Sequence, residues 1–478
     1  MNKRIWISAD HGLAIVYFLQ SAVVPTLLDA GLEVVVLTDD GLQEQIARRF
    51  GRPGLRVEGL RLKQARAYSE TKAGEWQWWL QFLRRVGSSN RINTEAMDSY
   101  IDQVAAEEAN RRRIFMPAAW LAIAALRRSR AARQNLVQAQ YRFTPNLYGD
   151  LFDRLPPDLV VASTPGWRND RYLLREAARR QVKTGAVVVG WDNPSSYSLP
   201  GAPVDFINCW SEIQKEELVL GSDWNPDRVH VGGIPSYDGY FRKEWLLPRE
   251  EYFQMHHLDP QRKLISYACS FVSFSPNLQN VRALANLVSQ DRLAAPSQLL
   301  IRLHPNHFWN YPLYRKEADE MRRLAAELPH VHLVEPVPLG GELGYYSGED
   351  MPEKASMMAY SDVFTTVYST MVVETAIQGR PIVSVCIDVP GGWNTPRKYS
   401  LPLSQIGNWP THQRFRQSGA GPVALNEGEL KDALDRYLQN PQVDQEKMRA
   451  FIQRECTYTD GSAGQRTGEW ILAQAQRS

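Results

Sequence analysis

The sequence predicts an α/β chain built from two doubly wound parallel domains, and three observations carry that expectation. Short apolar runs alternate with segments of helical period along the whole chain. The pattern runs once over residues 1–235 and restarts over 236–478, after Gly232-Gly233 and Pro235, a composition suited to a hinge. Polar turns follow the strands, where open α/β sheets place their ligands. At 478 residues the chain also exceeds what one core can support.

In the first half, residues 5–9 read as a buried strand and Asp10-His11-Gly12 as a polar turn. Residues 15–30 read as a helix kinked at Pro25, and 33–38 as the second strand. The Met-Asn-Lys-Arg opening superficially resembles a signal peptide. Asp10 and His11 interrupt the apolar run and no small-x-small site follows, so it reads as a strand. The first turn lacks G-x-G-x-x-G, which disfavours a dinucleotide-dependent redox enzyme.

A helical insertion near 70–150 comes next. Its Trp76, Trp78, Trp79 and Phe82 serve either packing or contact with an acceptor. Within it, Arg111, Arg112 and Arg113 precede an apolar run over 114–126, and Arg127, Arg128, Arg130 and Arg133 follow. That run is too short to span a bilayer. It is either an interfacial helix whose arginines meet an anionic membrane surface, or a domain helix with solvated basic ends. Residues 158–163 and 185–190 are continuous apolar strands, as in sheets covered on both faces. The second leads into Trp191-Asp192-Asn193-Pro194, and a further strand over 206–210 precedes a helix capped by Ser211.

In the second half, residues 263–268, 298–303 and 331–334 read as strands. The first runs into a turn with Ser270, the second into His304-Pro305-Asn306. The stretch 360–385 organises this half: strand, tight turn, helix, strand. Ser369 and Thr370 are N-cap types, and Gly379-Arg380-Pro381 stops the helix. Free N–H groups and two hydroxyls at that helix start suit a phosphate; alternatively Ser369 and Thr370 only cap the helix and Glu374 only complements its dipole. In the tail, the glycine-rich loop 458–468 makes Ser462 and Arg466 candidates for a phosphate or a domain contact. The last helix is expected to pack back on the first domain.

Composition narrows the function classes. Apolar residues make up 44% and charged ones 23%, ordinary for a globular protein, and the net charge of +2 is too balanced for bulk attraction to nucleic acid. Four scattered cysteines without a Cys-x-x-Cys pair fit reduced thiols in a cytoplasmic setting, with neither a zinc site nor a disulfide frame. No stretch reaches the roughly 18–20 apolar residues of a membrane span.

Ile301-Arg-Leu-His-Pro-Asn306, Ser361-Asp362, Tyr368-Ser-Thr370 with Glu374, Gly379-Arg-Pro-Ile382 and Asp460-Gly-Ser-Ala-Gly-Gln-Arg466 together resemble the C-terminal domain of the CDP-glycerol glycerophosphotransferases and the related bacterial surface-polysaccharide glycosyltransferases. The first half resembles that group in architecture. The resemblance implies the GT-B fold, two Rossmann-like domains facing a cleft. The second domain would hold the nucleotide diphosphate and the acceptor would enter from the first, with no metal or other cofactor. The Thr-x-Gly-Gln-His pattern of the related UDP-N-acetylglucosamine 2-epimerases is absent, which weighs against an epimerase.

Residue chemistry then supplies roles. A leaving nucleotide needs fixed donors, expected at Arg302, His304, Asn306, Ser369 and Thr370, with Ser270 and Arg466 as further candidates for phosphate contact. Glu374 is expected to accept from ribose hydroxyls. An inverting reaction also needs a base from the first domain, expected at Asp10-His11 with Asp192 as the alternative. The leading expectation is an inverting, metal-independent glycosyltransferase for a cell-surface or lipid-linked glycan, cytoplasmic and peripheral on the inner membrane face. A CDP-polyol phosphotransferase, a sugar epimerase and a non-catalytic nucleotide-sugar-binding partner are the competing readings.

Overall fold

The computed structural model describes residues 3–107, 112, 114–271, 277–388 and 402–477. Arg111, Arg113 and the end of the turn after Ser270 lie outside them. The chain forms two compact units: unit 1 is Met1–Asp238, Gly340–Ser347 and Cys456–Ser478, and unit 2 is Gly239–Leu339 and Gly348–Glu455. Unit 1 thus takes in two stretches from the second half of the sequence.

The unit 1 sheet contains, among the described residues, β1 (Arg4–Ser8), β2 (Glu33–Thr38), β3 (Leu55–Gly59), β4 (Leu159–Ala162), β5 (Lys183–Val187), β6 (Phe206–Cys209) and β7 (Val229–Val231), all parallel in the order β3-β2-β1-β4-β5-β6-β7. Alternate residues of each central strand enter different cores. Ile5, Ile7, Val34 and Val36 join one, while Trp6, Val35 and Leu37 join the other. Both faces are therefore covered, which explains why these strands read as unbroken apolar runs. The expected helix over 15–30 is two helices, Ala14–Phe18 and Val23–Asp29. Pro25 sits in the first turn of the second, where its missing N–H costs nothing, so it starts a helix instead of kinking one.

Between β3 and β4 the chain inserts helices that include Lys72–Val86, Glu95–Glu107, Met116–Arg128 and Arg130–Gln140. The first three share a small core of Phe82, Met97, Ile101, Met116 and Ile123, against which Trp78 and Trp79 pack, while Leu136 of the fourth packs with Leu126 and Leu199. Met116–Arg128 buries Met116, Ala119, Ile123 and Leu126, one helical stripe, and leaves Trp120 and Leu121 exposed. No helix among the described residues is long and apolar enough to cross a membrane.

The unit 2 sheet repeats the topology with β8 (Lys263–Ala268), β9 (Ser297–Arg302), β10 (Val331–Val334), β11 (Val363–Thr366), β12 (Ile382–Val385) and β13 (Val423–Ala424), parallel in the order β10-β9-β8-β11-β12-β13. Both units are thus Rossmann-like doubly wound domains. Strand order reverses beside β1 and β4 in the first, and beside β8 and β11 in the second. The described cysteines are all free and buried.

Candidate active site

The turn after β1 lies at the switch point of unit 1. Its register with β4 brings Ser163 under it, and the Asp10 N–H donates to Ser163 Oγ at 2.9 Å. Asp10 itself is fully buried. One carboxylate oxygen accepts from the Asp170 N–H at 2.7 Å, and the other has no partner. Burial raises its pKa against the pull of Arg168. A strap formed by Gly340–Ser347 covers the turn. Tyr346 N–H donates to Gly12 O at 2.7 Å, Leu343 N–H to Asp39 Oδ2 at 3.0 Å, and Tyr345 Oη bonds Ala9 O. Gly12 is required there, because a Cβ would stand 2.7 Å from Gly344 O.

His11 remains partly exposed beside this strap. Its Nδ1 accepts from the Leu13 N–H at 3.2 Å, so the neutral ring carries its proton on Nε2. Burial and the Arg168 guanidinium push its pKa down to about 3. His11 therefore offers an N–H and no free lone pair. At the turn where the sequence expectation puts a base, Asp10 is thus sealed in and His11 is held as a donor. Asp192 is tied within its own turn, accepting from Ser196 Oγ at 3.1 Å, and burial raises its pKa.

In unit 2 the residues expected to bind a diphosphate already have protein partners. Arg302 donates to Asp350 Oδ2 at 2.6 Å and to Glu353 Oε2 at 2.9 Å, with all three side chains nearly buried. Glu374 is 3% exposed and meets Tyr240 Oη and Lys354 Nζ, each at 2.6 Å. Neither is an open donor or acceptor, because a charge folded into this interior must find a counter-charge. At Ser270 the backbone N–H donates to Asn277 Oδ1 at 2.8 Å, which fixes the end of β8.

His304 differs. It follows β9, is partly exposed, and its Nδ1 lies 2.5 Å from Asn306 Oδ1. That contact favours a proton on Nδ1 and a lone pair on Nε2, while the Asn306 N–H, 3.2 Å from the same Nδ1, is the i+2 contact that His11 also makes and favours the reverse. Burial, then His307, with Arg302 and Lys354 adding to it, holds the ring neutral with a pKa of about 3. The turn is braced from behind: the His304 N–H donates to His307 Nδ1 at 2.9 Å, and His307 Nε2 meets the buried Glu317 at 3.0 Å. Asn306 is itself fully buried, so it orients His304 and is not an open phosphate contact.

Ser369 and Thr370 follow β11 at the switch point of unit 2, and both are partly exposed. Tyr368, just before them, has φ +31°, a conformation that β-carbon-bearing residues avoid and that clusters at functional turns. The helix that follows, Met371–Ile377, is only seven residues long. Ser369 Oγ accepts from Met371 N–H at 3.3 Å, and Thr370 makes no side-chain cap.

Arg466 lies in unit 1. It bonds Asp460 and Gly232 O and stacks 3.9 Å over Tyr458. The glycine-rich start of the helix Ala463–Gln476 is likewise occupied: Asp238 accepts from Ala463 N–H at 2.9 Å and Gly464 N–H at 2.7 Å. An internal carboxylate stands where the sequence suggests a phosphate. Among the described residues no group of three or more His, Cys, Asp or Glu side chains is placed to hold a metal ion.

Sequence reasoning missed Lys354, Asp350, Glu353, Tyr240, His307 and Glu317. A signal existed for three of them. Asp350, Glu353 and Lys354 fall at i, i+3 and i+4 about the start of a helix, on one face, while the buried strand before His304 ends in an arginine that needs counter-charges.

The fold is shared with nucleotide-sugar enzymes. The UDP-GlcNAc 2-epimerase from Neisseria meningitidis bound to UDP-GlcNAc matches at TM-score 0.51 and 12% identity, over 100% of both chains. The MnaA-UDP co-structure from S. aureus matches at TM-score 0.52 and 12% identity, over 99% of this chain and 97% of that one. At such identities the likeness is one of fold: two Rossmann-like domains of the GT-B kind. Residues 344–473 match the family CDP-Glycerol:Poly(glycerophosphate) glycerophosphotransferase, which bears out the resemblance drawn from the sequence motifs. No protein of curated function matches the chain.

Proposed function

We propose that this protein is a transferase that moves a polyol phosphate from a CDP-polyol to a hydroxyl of a cell-envelope polymer. The observation that carries the reading is the family match over residues 344–473, which spans the strained Tyr368-Ser369-Thr370 turn and Glu374. In the reaction the acceptor oxygen bonds to the β-phosphorus, the P–O–P bridge breaks, CMP leaves and the acceptor proton needs a base. His304 can accept that proton in the tautomer with Nε2 unprotonated, the one its 2.5 Å contact with Asn306 Oδ1 favours, and burial keeps the ring neutral at pH 7. Ser369 and Thr370 supply hydroxyls for phosphate oxygens. His11 suits a donor role toward an anionic oxygen.

Transfer of a sugar from a nucleotide sugar, the leading expectation from the sequence, takes second place. The fold shared with proteins solved with UDP-GlcNAc and UDP supports it. The two separate by leaving group. Incubation with CDP-glycerol and a glycerol-phosphate primer is expected to release CMP and lengthen the primer. Release of UDP from UDP-sugars, with CDP-glycerol untouched, would reverse the order.

With the same reading we infer that the protein works at the cytoplasmic membrane surface. Support comes from an apolar ridge in unit 1, Ile114, Phe115, Trp120 and Leu121, exposed by 76%, 57%, 54% and 76%, with the exposed Arg128 at the end of the helix. Apolar side chains beside a cation suit an anionic lipid interface. Of the arginines expected there, Arg127 is committed to Asp98 and Arg112 to Glu75 and the Trp78 ring. Flotation with phosphatidylglycerol vesicles at low salt is expected for the wild type and lost in Trp120→Ser/Leu121→Ser. A wild type that stays unbound overturns the surface.

A further inference from the structure

We propose that unit 1 carries a second ligand site, at the opposite strand ends from Asp10, His11 and Asp192, which holds a segment of an anionic, hydroxyl-rich chain. A cavity of about 670 Å³ is bounded by the helix Arg130–Gln140, the loop before β6 and the segment between the helix Glu212–Ser222 and β7. Its volume falls within the range of about 300–1,000 Å³ typical of small-molecule sites.

Strand polarity separates it from the candidate reaction groups. Asp205 and Arg228 immediately precede β6 and β7, so the cavity opens at the edge where the parallel strands begin. Asp10, His11 and Asp192 follow strands and lie at the edge where they end.

The wall chemistry favours anions and hydroxyls together. Arg130 and Arg228 line the cavity as exposed guanidinium groups without a carboxylate partner among the described residues. Arg133 is different: it grips Asp223 through two bonds of 2.6 and 2.8 Å, so that pair is a neutral, rigid part of the wall. Asp205 accepts from Thr184 N–H at 2.9 Å and Thr184 Oγ1 at 3.2 Å, which anchors it to β5. Asp223 is thereby neutralised, whereas Asp205, bonded to the neutral Thr184, keeps its charge, so Arg130 and Arg228 leave the wall with a surplus of one positive charge. Trp224 lines the same cavity, is 9% exposed, and its indole N–H is buried without an acceptor in the protein. That donor lies behind the cavity wall, closed to solvent, and a ligand oxygen reaches it where the wall gives. Gln134 and Gln138 add exposed amides.

Guanidinium forks match phosphodiester oxygens, while the indole N–H and the amides match hydroxyls. A neutral glycan would leave the arginines unused, and a bare phosphate would leave the Trp224 donor and the amides unused. The assignment of the chain as polyol phosphate rests on the function proposed above. The site would then keep the polymer bound between rounds of transfer, at the edge of the unit 1 sheet where the strands begin.

The test is calorimetric titration with a glycerol-phosphate oligomer, inorganic phosphate and a neutral glycerol oligomer. The wild type is expected to prefer the phosphate oligomer. Arg130→Gln/Arg228→Gln should weaken it about tenfold or more, and Trp224→Phe should weaken it to a smaller extent. Nucleotide binding and single transfer to a short primer should stay at wild-type level in both, while polymer products become shorter. Equal oligomer affinity in the double variant, or inorganic phosphate binding as tightly as the oligomer, overturns the proposal. Loss of oligomer binding in variants of a protein that transfers no polyol phosphate would support the site and refute only the reaction.

Discussion

His11 and His304 each follow a strand of a doubly wound sheet, each is partly exposed, and each is held neutral with a pKa of about 3. In both, a backbone N–H two residues along points at Nδ1 from 3.2 Å, from Leu13 at His11 and from Asn306 at His304. They differ in what else meets that nitrogen. At His11 the N–H leaves Nε2 as a donor, while at His304 the Asn306 side-chain oxygen stands closer, at 2.5 Å, and favours a proton on Nδ1 with Nε2 as an acceptor. Two identical side chains at equivalent ends of strands are thereby biased toward opposite chemistry. The role of a histidine is set by its neighbour two residues along, not by its position after a strand.

The largest expected effect breaks or confirms that contrast directly. His304→Gln should lower turnover by about 10² to 10⁴-fold with nucleotide affinity nearly unchanged, as for loss of a base. His11→Ala should cost less, about tenfold to a hundredfold, as for loss of one hydrogen bond to a charged group, and His11→Asn should recover part of it by restoring an N–H. Steady-state kinetics on the three variants decide it. If His11→Asn is as inactive as His304→Gln, the two tautomers have been assigned the wrong way round.

Arg302→Ala asks whether the unit 2 turn needs its ion pairs. Removing the guanidinium leaves Asp350 and Glu353 buried without a counter-charge, which should cost about 3–5 kcal/mol. Chemical denaturation would measure it. A stable Arg302→Ala with only its nucleotide affinity reduced would instead return Arg302 to the donor-binding role expected from the sequence.

Asn306→Asp sharpens the contrast with the smallest change. A carboxylate facing Nδ1–H stabilises the imidazolium, so the pKa of His304 should rise from about 3. A base must be unprotonated to act, so raising its pKa moves the acid limb of the pH–rate profile to higher pH. In the wild type His304 stays unprotonated from about pH 8 down to about pH 5 and should impose no loss there. An unmoved acid limb in Asn306→Asp would show that His304 is not the base, because the imidazolium carries a proton on both nitrogens and the carboxylate stabilises it from either tautomer of the neutral ring.

Much of the fold could be read from the chain. Residues 33–38 and 363–367 are largely β-branched or apolar, and they became β2 and β11 because strands covered on both faces favour such residues; the buried Thr365 and Thr366 are accommodated by donating to Ser266 O and Ala268 O. The site was legible only as a set of turns. That Ser369, Thr370, His304 and His11 would lie at the ends of strands followed from the alternation of strand and helix. That Arg302 would be neutralised by Asp350 and Glu353, or that Asp238 would cap the Ala463 helix, did not. Those partners lie 48, 51 and 225 residues away.

The sequence by itself determined where strands, helices and polar turns fall, because period, capping and turn chemistry act over a few residues. Tertiary structure alone decided which polar groups remain available. Each charge brought into the interior must find a partner from whatever distant segment the strand order places beside it. Glu374 met Lys354 and Tyr240, and Asp10 was closed beneath the Gly340–Ser347 strap. His304 kept a free nitrogen because Asn306 engaged the other.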